Sequence, residues 1–494
     1  MLIIALGRVF KIYALGNLVY DLSILWLFTL LESENCYDEK GFYISRMVYS
    51  TFNERDSMKH HKISLTTAIL MNLNIMIGSG ILIGPAVMAG VAGNASFLAW
   101  FLVALIFLPI VLSTVQMSRM CPGAGGFYAY AKEGLNITAG YWSGWLYVLG
   151  YTFSLAVEFL ALRATALTSM GENWLTGNPV IFNALLAVIC VVMNLLGIRL
   201  FSRILNSLTV SKLIPLAVLI LMIPFIYNPS FTISSAELSL LPSALPFAIF
   251  GYLGFEYCCS ISHLIENSER NAPLATLIGF FLTAIIYTLF HFGLLNLMGA
   301  QSLHELGAPS FAQFISLPVP YLKALLSFLI PIASVLTLFA GACGLINANS
   351  IMINAMAREK LFVGWPLLVK MTAENRPWIA IAAQGVVGFL LATFLPYIEV
   401  MGNLCNMGVF LSFILPLVSL LTIQTRTGRS GNKIITVLGL ISAVGLTLYS
   451  ARGLMNLSPL WSDRLLYLSP MIVALLIGAV ISRREEEVVS KPRF

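Results

Sequence analysis

The chain has 494 residues, of which 59% are hydrophobic and only 10% are charged. Soluble proteins carry about 25% charged residues, so a chain this long and this apolar could not cover its surface in water. The formal net charge of +6 is modest and comes mainly from short loops, which does not indicate a nucleic-acid-binding protein. The composition therefore predicts a polytopic all-α protein embedded in a lipid bilayer.

Residues 1–57 fit such a bundle poorly. Ile12–Leu31 is apolar enough to form one more span, but Asp21 lies at its centre. The segment is either an extra helix or an upstream stretch that is not translated, in which case Met47 or Met58 is the start. We expect a peripheral segment or one that is absent from the native protein.

About twelve apolar runs follow, each of about 20 residues, the length that crosses a bilayer. They make up a predicted bundle of residues 58–484 and lie near 64–90, 96–117, 138–168, 179–197, 204–227, 242–264, 274–299, 321–355, 377–396, 400–422, 433–451 and 463–482. Residues 485–494 form a short charged tail. Positive charge collects in alternate loops, which marks the cytoplasmic side and predicts that both ends of the bundle are cytoplasmic.

The first apolar run is interrupted at Gly78-Ser79-Gly80. An unwound helix inside a bilayer leaves N–H and C=O groups that lipid cannot satisfy, so a ligand, an ion or water is expected there. The freed N–H groups, at the positive end of the next half-helix, suit an anion such as the α-carboxylate of an amino acid. Alternatively, the glycines only permit close helix packing.

Two charged residues lie deep in later runs. Lys212 comes nine residues after Arg203 and, at about 1.5 Å per residue, lies about halfway through the bilayer. An ammonium group there can cycle protons; the alternatives are a static ion pair with Glu158 or a cap on carbonyl groups. Glu158, in the third run, either binds a cationic substrate side chain or pairs with Arg163 or Lys212.

A second interruption lies within residues 250–256, at Gly251 and Gly254. Carbonyl groups freed between these glycines suit an α-ammonium group. A pair of breaks in corresponding halves indicates the substrate site of a secondary transporter. Glu256 adds a carboxylate near the bilayer centre, which is expected to be paired, protonated or functional; a hydrogen bond to a freed backbone amide is the alternative.

Other functional classes find less support in the sequence. The seven cysteines show no metal-ligand spacing and lie mostly in apolar runs, so we expect no disulfide, metal or cofactor. No Gly-x-x-x-x-Gly-Lys-(Ser/Thr) sequence for ATP hydrolysis occurs, and five scattered histidines provide no catalytic cluster for a membrane-embedded enzyme. A sensor is expected to carry a larger soluble region than the short tail.

Five motifs occur in order between residue 62 and about residue 420. They are Ile-Gly-Ser-Gly-Ile at 77–81, Cys-Pro-Gly-Ala-Gly-Gly-Phe-Tyr-Ala-Tyr-Ala at 121–131, Gly-Phe-Glu at 254–256, Glu-Asn-Ser-Glu-Arg-Asn-Ala-Pro at 266–273 and Asn-Ala-Met-Ala-Arg-Glu-Lys-Leu at 354–361. Together they resemble the amino acid–polyamine–organocation (APC) superfamily of amino acid permeases. The resemblance implies a LeuT-like fold with two inverted repeats of five helices, 62–227 and 242–422, discontinuous helices 1 and 6, and two further helices at 433–482.

The resemblance also implies a substrate site between helices 1 and 6, with an aromatic lid at Phe250. The expected substrate-binding residues are Ile77, Gly78, Ser79, Gly80, Phe250, Gly251, Tyr252 and Gly254. Some members carry a lysine at the position of Lys212, where sodium-coupled relatives bind a cation. A glutamate at the position of Glu256 is linked in the family to proton-dependent transport. Lys212, Glu256 and Glu158 are therefore the candidates for proton coupling.

The sequence thus predicts a secondary active transporter, not an enzyme, that moves an amino acid or related amine by alternating access. We expect coupling to protons without sodium; the alternative is an exchanger for cationic substrates. The expected location is the plasma membrane of a bacterium, with the protein as a monomer or a homodimer.

Overall fold

The computed structural model describes residues 62–121, 123, 125–315, 320–362, 364–428 and 433–489. The predicted extension of residues 1–57 lies outside the described residues, as does the end of the predicted tail. The described parts of the chain contain helices and no strand, apart from an isolated bridge between Ile63 and Ile265.

The helices follow the predicted apolar runs closely. They are α1 (Leu65–Met76), α2 (Ser79–Ala92), α3 (Leu98–Met120), α4 (Gly126–Gly134), α5 (Ile137–Met170), α6 (Pro179–Leu195), α7 (Ile198–Ile226), α8 (Ser235–Gly251), α9 (Tyr257–Ser260), α10 (Ser268–Met298), α11 (Ala300–Leu306), α12 (Pro320–Arg358), α13 (Trp365–Leu368), α14 (Trp378–Phe394), α15 (Ile398–Arg426), α16 (Lys433–Asn456) and α17 (Trp461–Val489). Short 3-10 turns connect some of them.

Eight of the described helices are long and apolar enough to cross a membrane, namely α3, α5, α7, α10, α12, α15, α16 and α17. The bent pair α1 and α2 is a further candidate span, and α6, α8 and α14 are apolar but shorter. The predicted all-α polytopic fold is confirmed. The number of twelve spans, the inverted repeat and the division into repeats remain predictions.

Polar residues beside the apolar runs start several helices. The Ser64 Oγ accepts a hydrogen bond from the Thr67 N–H at 3.4 Å, and the Asn136 Oδ1 accepts one from the Ala139 N–H at 2.8 Å. Ser234 forms a capping box with Glu237 at the start of α8. Such side chains satisfy backbone donors that the first turn of a helix leaves free.

Helix α5 lies at the centre of the bundle. The most apolar window of α5 is 94% buried, whereas that of α17 is 17% buried. Large apolar side chains on the outer helices, such as Phe225, Leu448 and Leu476, are exposed, as expected for a surface that faces lipid. Polar side chains in the middle of α5 therefore face other helices, which makes α5 the natural wall of an internal site.

The two broken segments are joined at both of their far ends. Near the start of α1, the Ile63 N–H donates to the Leu264 carbonyl at 2.9 Å and the Glu266 N–H donates to the Ile63 carbonyl at 3.0 Å. Beyond α2, the Asn94 N–H donates to the Glu237 Oε1 at 2.7 Å. The half-helices thus form two pairs, α1 with the segment after α9, and α2 with α8.

Candidate substrate site

The first break separates α1 from α2 at the predicted place. Helix α1 ends at Met76, α2 begins at Ser79, and their axes differ by 42°. The Ile77 N–H donates to the Leu73 carbonyl at 2.9 Å, within the last turn of α1. Carbonyl groups at the end of α1 and N–H groups at the start of α2 therefore need partners outside their own helices.

Lys212 supplies partners for the end of α1. Its Nζ donates to the Asn74 carbonyl at 2.8 Å, to the Asn74 Oδ1 at 3.1 Å and to the Ile77 carbonyl at 2.5 Å. An ammonium group has three N–H donors and no acceptor, so these three oxygens match the protonated form. A cation at a helix C-terminus also interacts favourably with the helix dipole. The carbonyl cap, one of the alternatives for this lysine, is the arrangement present.

The carboxylate of Glu158, a residue of α5, lies at the start of α2. Its Oε1 accepts hydrogen bonds from the Ser79 N–H at 3.0 Å and from the Ser79 Oγ at 2.8 Å. Among the described residues it forms no ion pair with Lys212 or Arg163; the Arg163 Nε donates to the Thr176 carbonyl instead. A protein carboxylate thus lies where the sequence predicts the carboxylate of a substrate.

The second break lies between α8 and α9. Gly254 adopts a φ of +92°, a conformation that favours glycine. Its N–H donates to the Tyr151 hydroxyl at 2.8 Å, and that hydroxyl donates to the Glu256 Oε1. The predicted residues Gly254 and Glu256 are therefore linked through a tyrosine of α5. The Tyr151 hydroxyl thus accepts a hydrogen bond from the freed amide and donates one to the buried carboxylate. Loss of either hydrogen bond therefore changes the surroundings of both groups.

The two breaks contact each other directly through glycines. A Cβ atom added to Gly80 would lie 2.8 Å from the Cα of Gly251 and 3.8 Å from the Phe250 Cδ1. Real Cβ atoms essentially never approach backbone this closely. Glycine at position 80 is therefore required for α2 to approach the end of α8.

A small cavity lies at this junction. Its volume of about 10 Å³ corresponds to about one water molecule. The lining residues are Ile75, Met76, Gly78, Ser79, Gly80, Tyr151, Ser154, Glu158, Phe250, Gly251, Leu253 and Leu345. The structure thus brings together six predicted residues: Gly78, Ser79, Gly80, Phe250, Gly251 and Glu158. A solute larger than water requires the surrounding helices to separate.

The remaining predicted residues lie around this cavity without lining it. The Tyr252 hydroxyl donates to the Trp100 carbonyl at 2.9 Å, and its ring packs against Trp100, Phe107, Phe280 and Tyr287. Ile77, Gly254, Lys212 and Glu256 hold the broken backbone instead. Their roles in substrate binding and proton coupling remain predictions.

Tyr151 and Ser154 were not predicted from the sequence. Both line the cavity together with Glu158. The spacing 151, 154 and 158 places them on one face of a helix, so a search for polar residues at helical intervals before Glu158 would have found them. Nothing in the sequence distinguishes Leu345 on α12, because an aliphatic residue in an apolar helix can face lipid, another helix or a cavity.

Replacing Glu256 with Gln tests the link to Tyr151. The amide oxygen of glutamine can still accept the hydrogen bond, but the negative charge is lost, and hydrogen bonds to charged groups are about twice as strong as neutral ones. We expect a change of about tenfold in apparent affinity or a shifted pH profile of uptake. Glu172→Gln, at an exposed glutamate, is the matched control. A wild-type kinetic curve for Glu256→Gln would assign this carboxylate to structure alone.

Comparison with known proteins agrees with these features. The model of the amino acid permease family matches residues 63–480. The serine/threonine exchanger SteT of Bacillus subtilis (strain 168) is 22% identical over 362 residues, which cover 72% of this chain and 80% of that protein. The aspartate-proton symporter of the same strain is 23% identical over 374 residues, with 71% and 70% covered. The putrescine transporter PotE of Escherichia coli (strain K12) is 27% identical over 251 residues, with 46% and 53% covered.

The family match extends over most of the chain and confirms the resemblance read from the motifs. The family and these relatives are transporters rather than enzymes. This chain belongs to the amino acid permease family of the APC superfamily.

Proposed function

We propose that this protein is a secondary active transporter that moves an amino acid or related amine by alternating access, coupled to protons and independent of sodium. The observation that carries the proposal is the cavity between the two breaks. The protein's own charged groups, Lys212 on one side and Glu158 on the other, satisfy the backbone around it. In secondary transporters, discontinuous helices of this kind form the substrate site near the bilayer midplane.

The closed form of the site supports alternating access. The cavity admits about one water molecule, and hydrogen bonds join the broken segments at both far ends, through Ile63 on one side and Glu237 on the other. A transport cycle then opens one end at a time. Opening either end requires these hydrogen bonds to break and the packed half-helices to separate, as α2 from α8 at Gly80 and Gly251.

The position of Lys212 supports proton coupling without sodium. Three oxygens at the end of α1 accept the three N–H donors of its ammonium group, so the protein supplies its own cation at this helix C-terminus. Loss of the proton would place a nitrogen lone pair against an oxygen acceptor and weaken the hold on α1.

Exchange of cationic substrates is the second candidate. Glu158 and Glu256 are buried carboxylates at or beside the cavity, and each has one oxygen without a hydrogen-bond partner among the described residues. SteT is an exchanger by name and PotE a putrescine transporter, so exchange and amine transport both occur among the relatives.

We propose a bacterial plasma membrane as the location, with both ends of the bundle cytoplasmic, and a monomer or homodimer as the assembly.

The experiment uses the purified protein in two steps. A thermal-shift screen against amino acids and polyamines identifies compounds that bind, because ligand binding stabilises the native state. Uptake of these compounds into proteoliposomes is then measured with an imposed pH gradient, in sodium-free buffer and with a sodium gradient. We expect the compounds to accumulate in response to the pH gradient, with no effect of sodium. Accumulation driven by sodium alone, or uptake without any pH dependence, would contradict the proposed coupling.

A further inference from the structure

A carboxylate of the protein already holds the anion position at the start of α2. Oε1 of Glu158 accepts hydrogen bonds from both donors of Ser79, the backbone N–H and the Oγ. A substrate carboxylate placed at the same donors would meet a like charge and would have to displace it. The structure therefore gives no advantage at this point to a substrate that brings its own carboxylate.

The second oxygen of Glu158 is left without a partner. Oε2 is buried and accepts no hydrogen bond within the described part of the chain. Glu158 itself is 4% exposed and lines the cavity. Cβ atoms at Gly78 and Gly341 would lie 3.6 Å and 3.4 Å from Oε2, so these two glycines pack beside the oxygen without offering it a side-chain donor. A buried acceptor without a donor costs free energy that a bound donor would recover.

The other residues that line the cavity indicate which kind of compound can donate a hydrogen bond to Oε2. Among the described lining residues, Glu158 is the only one with an ionisable acid or basic side chain apart from the Tyr151 phenol. Met76, Leu253 and Leu345 contribute apolar surface, and Phe250 contributes an aromatic ring. An ammonium group matches the unpaired carboxylate oxygen, and an aromatic ring attracts a cation as well. A hydrocarbon chain matches the apolar wall.

We propose that the substrates of this transporter are cationic amines that need no carboxylate of their own, with an ammonium group bound by Oε2 of Glu158. The carboxylate on α5 takes the place that the α-carboxylate of an amino acid would fill at the start of α2. This inference rests on the proposed transport function and specifies its substrate class.

The test uses pairs of compounds that differ only in a carboxylate. Suitable pairs are ornithine with 1,4-diaminobutane, lysine with 1,5-diaminopentane, and phenylalanine with phenylethylamine. Binding to the detergent-purified full chain is measured by thermal shift and calorimetry. We expect at least one amine to bind at least about tenfold more tightly than its amino acid, a difference of about 1.4 kcal/mol. A wild-type protein that favours the amino acid in every pair, or that binds no compound of either class, would overturn the inference.

Glu158→Ala is the decisive variant, because it removes the internal carboxylate and frees both donors of Ser79. We expect amine binding to weaken about 10- to 100-fold, while the amino acid of the same pair binds better than it does to the wild type. Glu158→Gln keeps an oxygen for Ser79 but removes the charge, so it should lose amine binding without the gain for the amino acid. Glu172→Ala, at an exposed position, is the control.

An equal loss of both compounds in Glu158→Ala would overturn the inference and assign Glu158 to structure. Proteoliposome uptake of the same pairs separates this inference from the proposed function. Uptake that follows the pH gradient but is restricted to compounds with a carboxylate leaves the transport function intact and rejects the substrate class. Amine binding without uptake in any gradient supports the site and rejects the transport proposal.

Discussion

Gly80→Val is expected to abolish substrate uptake while leaving folded protein in the membrane. A Cβ at position 80 would lie 2.8 Å from the Gly251 Cα, and valine adds two methyl groups to that atom. The clash is with backbone, so it can be relieved only by separating α2 from α8, the two half-helices that border the cavity. Overpacking of this kind typically costs about 1–3 kcal/mol, which a bundle of this size should survive. Uptake into proteoliposomes, together with the elution profile in detergent, measures both effects.

The matched control for this substitution is Gly445→Val on α16. A Cβ at Gly445 would have no neighbour within 4 Å, and the position is exposed. We expect wild-type uptake there, because valine meets no protein atom. Gly80→Ala should give an intermediate loss. Unchanged uptake in Gly80→Val would show that the contact between the two breaks is not part of the transport site.

Lys212→Ala is expected to remove the pH dependence of transport. The wild-type ammonium group holds the end of α1 through three oxygens, so gain or loss of its proton changes the stability of the closed form. A pH gradient of about one unit can support about tenfold accumulation if one proton moves with each substrate. In the variant we expect substrate exchange to persist while accumulation driven by the pH gradient falls to the equilibrium level.

Two further variants make this result interpretable. Removal of the ammonium group leaves buried carbonyl oxygens without a donor, at about 1–3 kcal/mol each, so Lys212→Ala will also be less stable. Lys212→Met retains most of the side-chain volume and isolates the effect of the charge. Lys132→Ala is the surface control, because that lysine is 37% exposed and pairs with Glu359. Exposed ion pairs contribute little to stability. A preserved proton dependence in both Lys212 variants would defeat the coupling role.

Long apolar helices and their interruptions were predictable from sequence because both follow from local composition. A run of about 20 apolar residues is required by the thickness of the bilayer, and Gly78 and Gly254 mark places where the backbone leaves the helix. The observed break, Ile77 and Gly78 between Met76 and Ser79, overlaps the predicted interruption at Gly78. The family was predictable for a related reason, since two of its five motifs, at 77–81 and 254–256, contain these same interruptions.

The partners of the charged residues were less predictable. Glu158 was expected to read a substrate or to pair with Arg163 or Lys212, yet its oxygen binds Ser79, 79 positions away in the sequence. Tyr252 is adjacent to a cavity-lining glycine, but its side chain enters an aromatic cluster formed by α3 and α10. Tyr151 connects Gly254 to Glu256 and was not predicted to be part of the site.

Membrane insertion, the positions of the helices and the location of both breaks follow from the order of residues along the chain, because each depends on near neighbours and on the bilayer. The assignment of Lys212 to the end of α1 and of Glu158 to the start of α2 depends on how the helices pack. Freed carbonyl groups need a donor and freed N–H groups need an acceptor, and distances across the bundle decide which buried side chain reaches each of them. Those distances arise from contacts such as Gly80 with Gly251, between residues 171 positions apart, which no local pattern encodes.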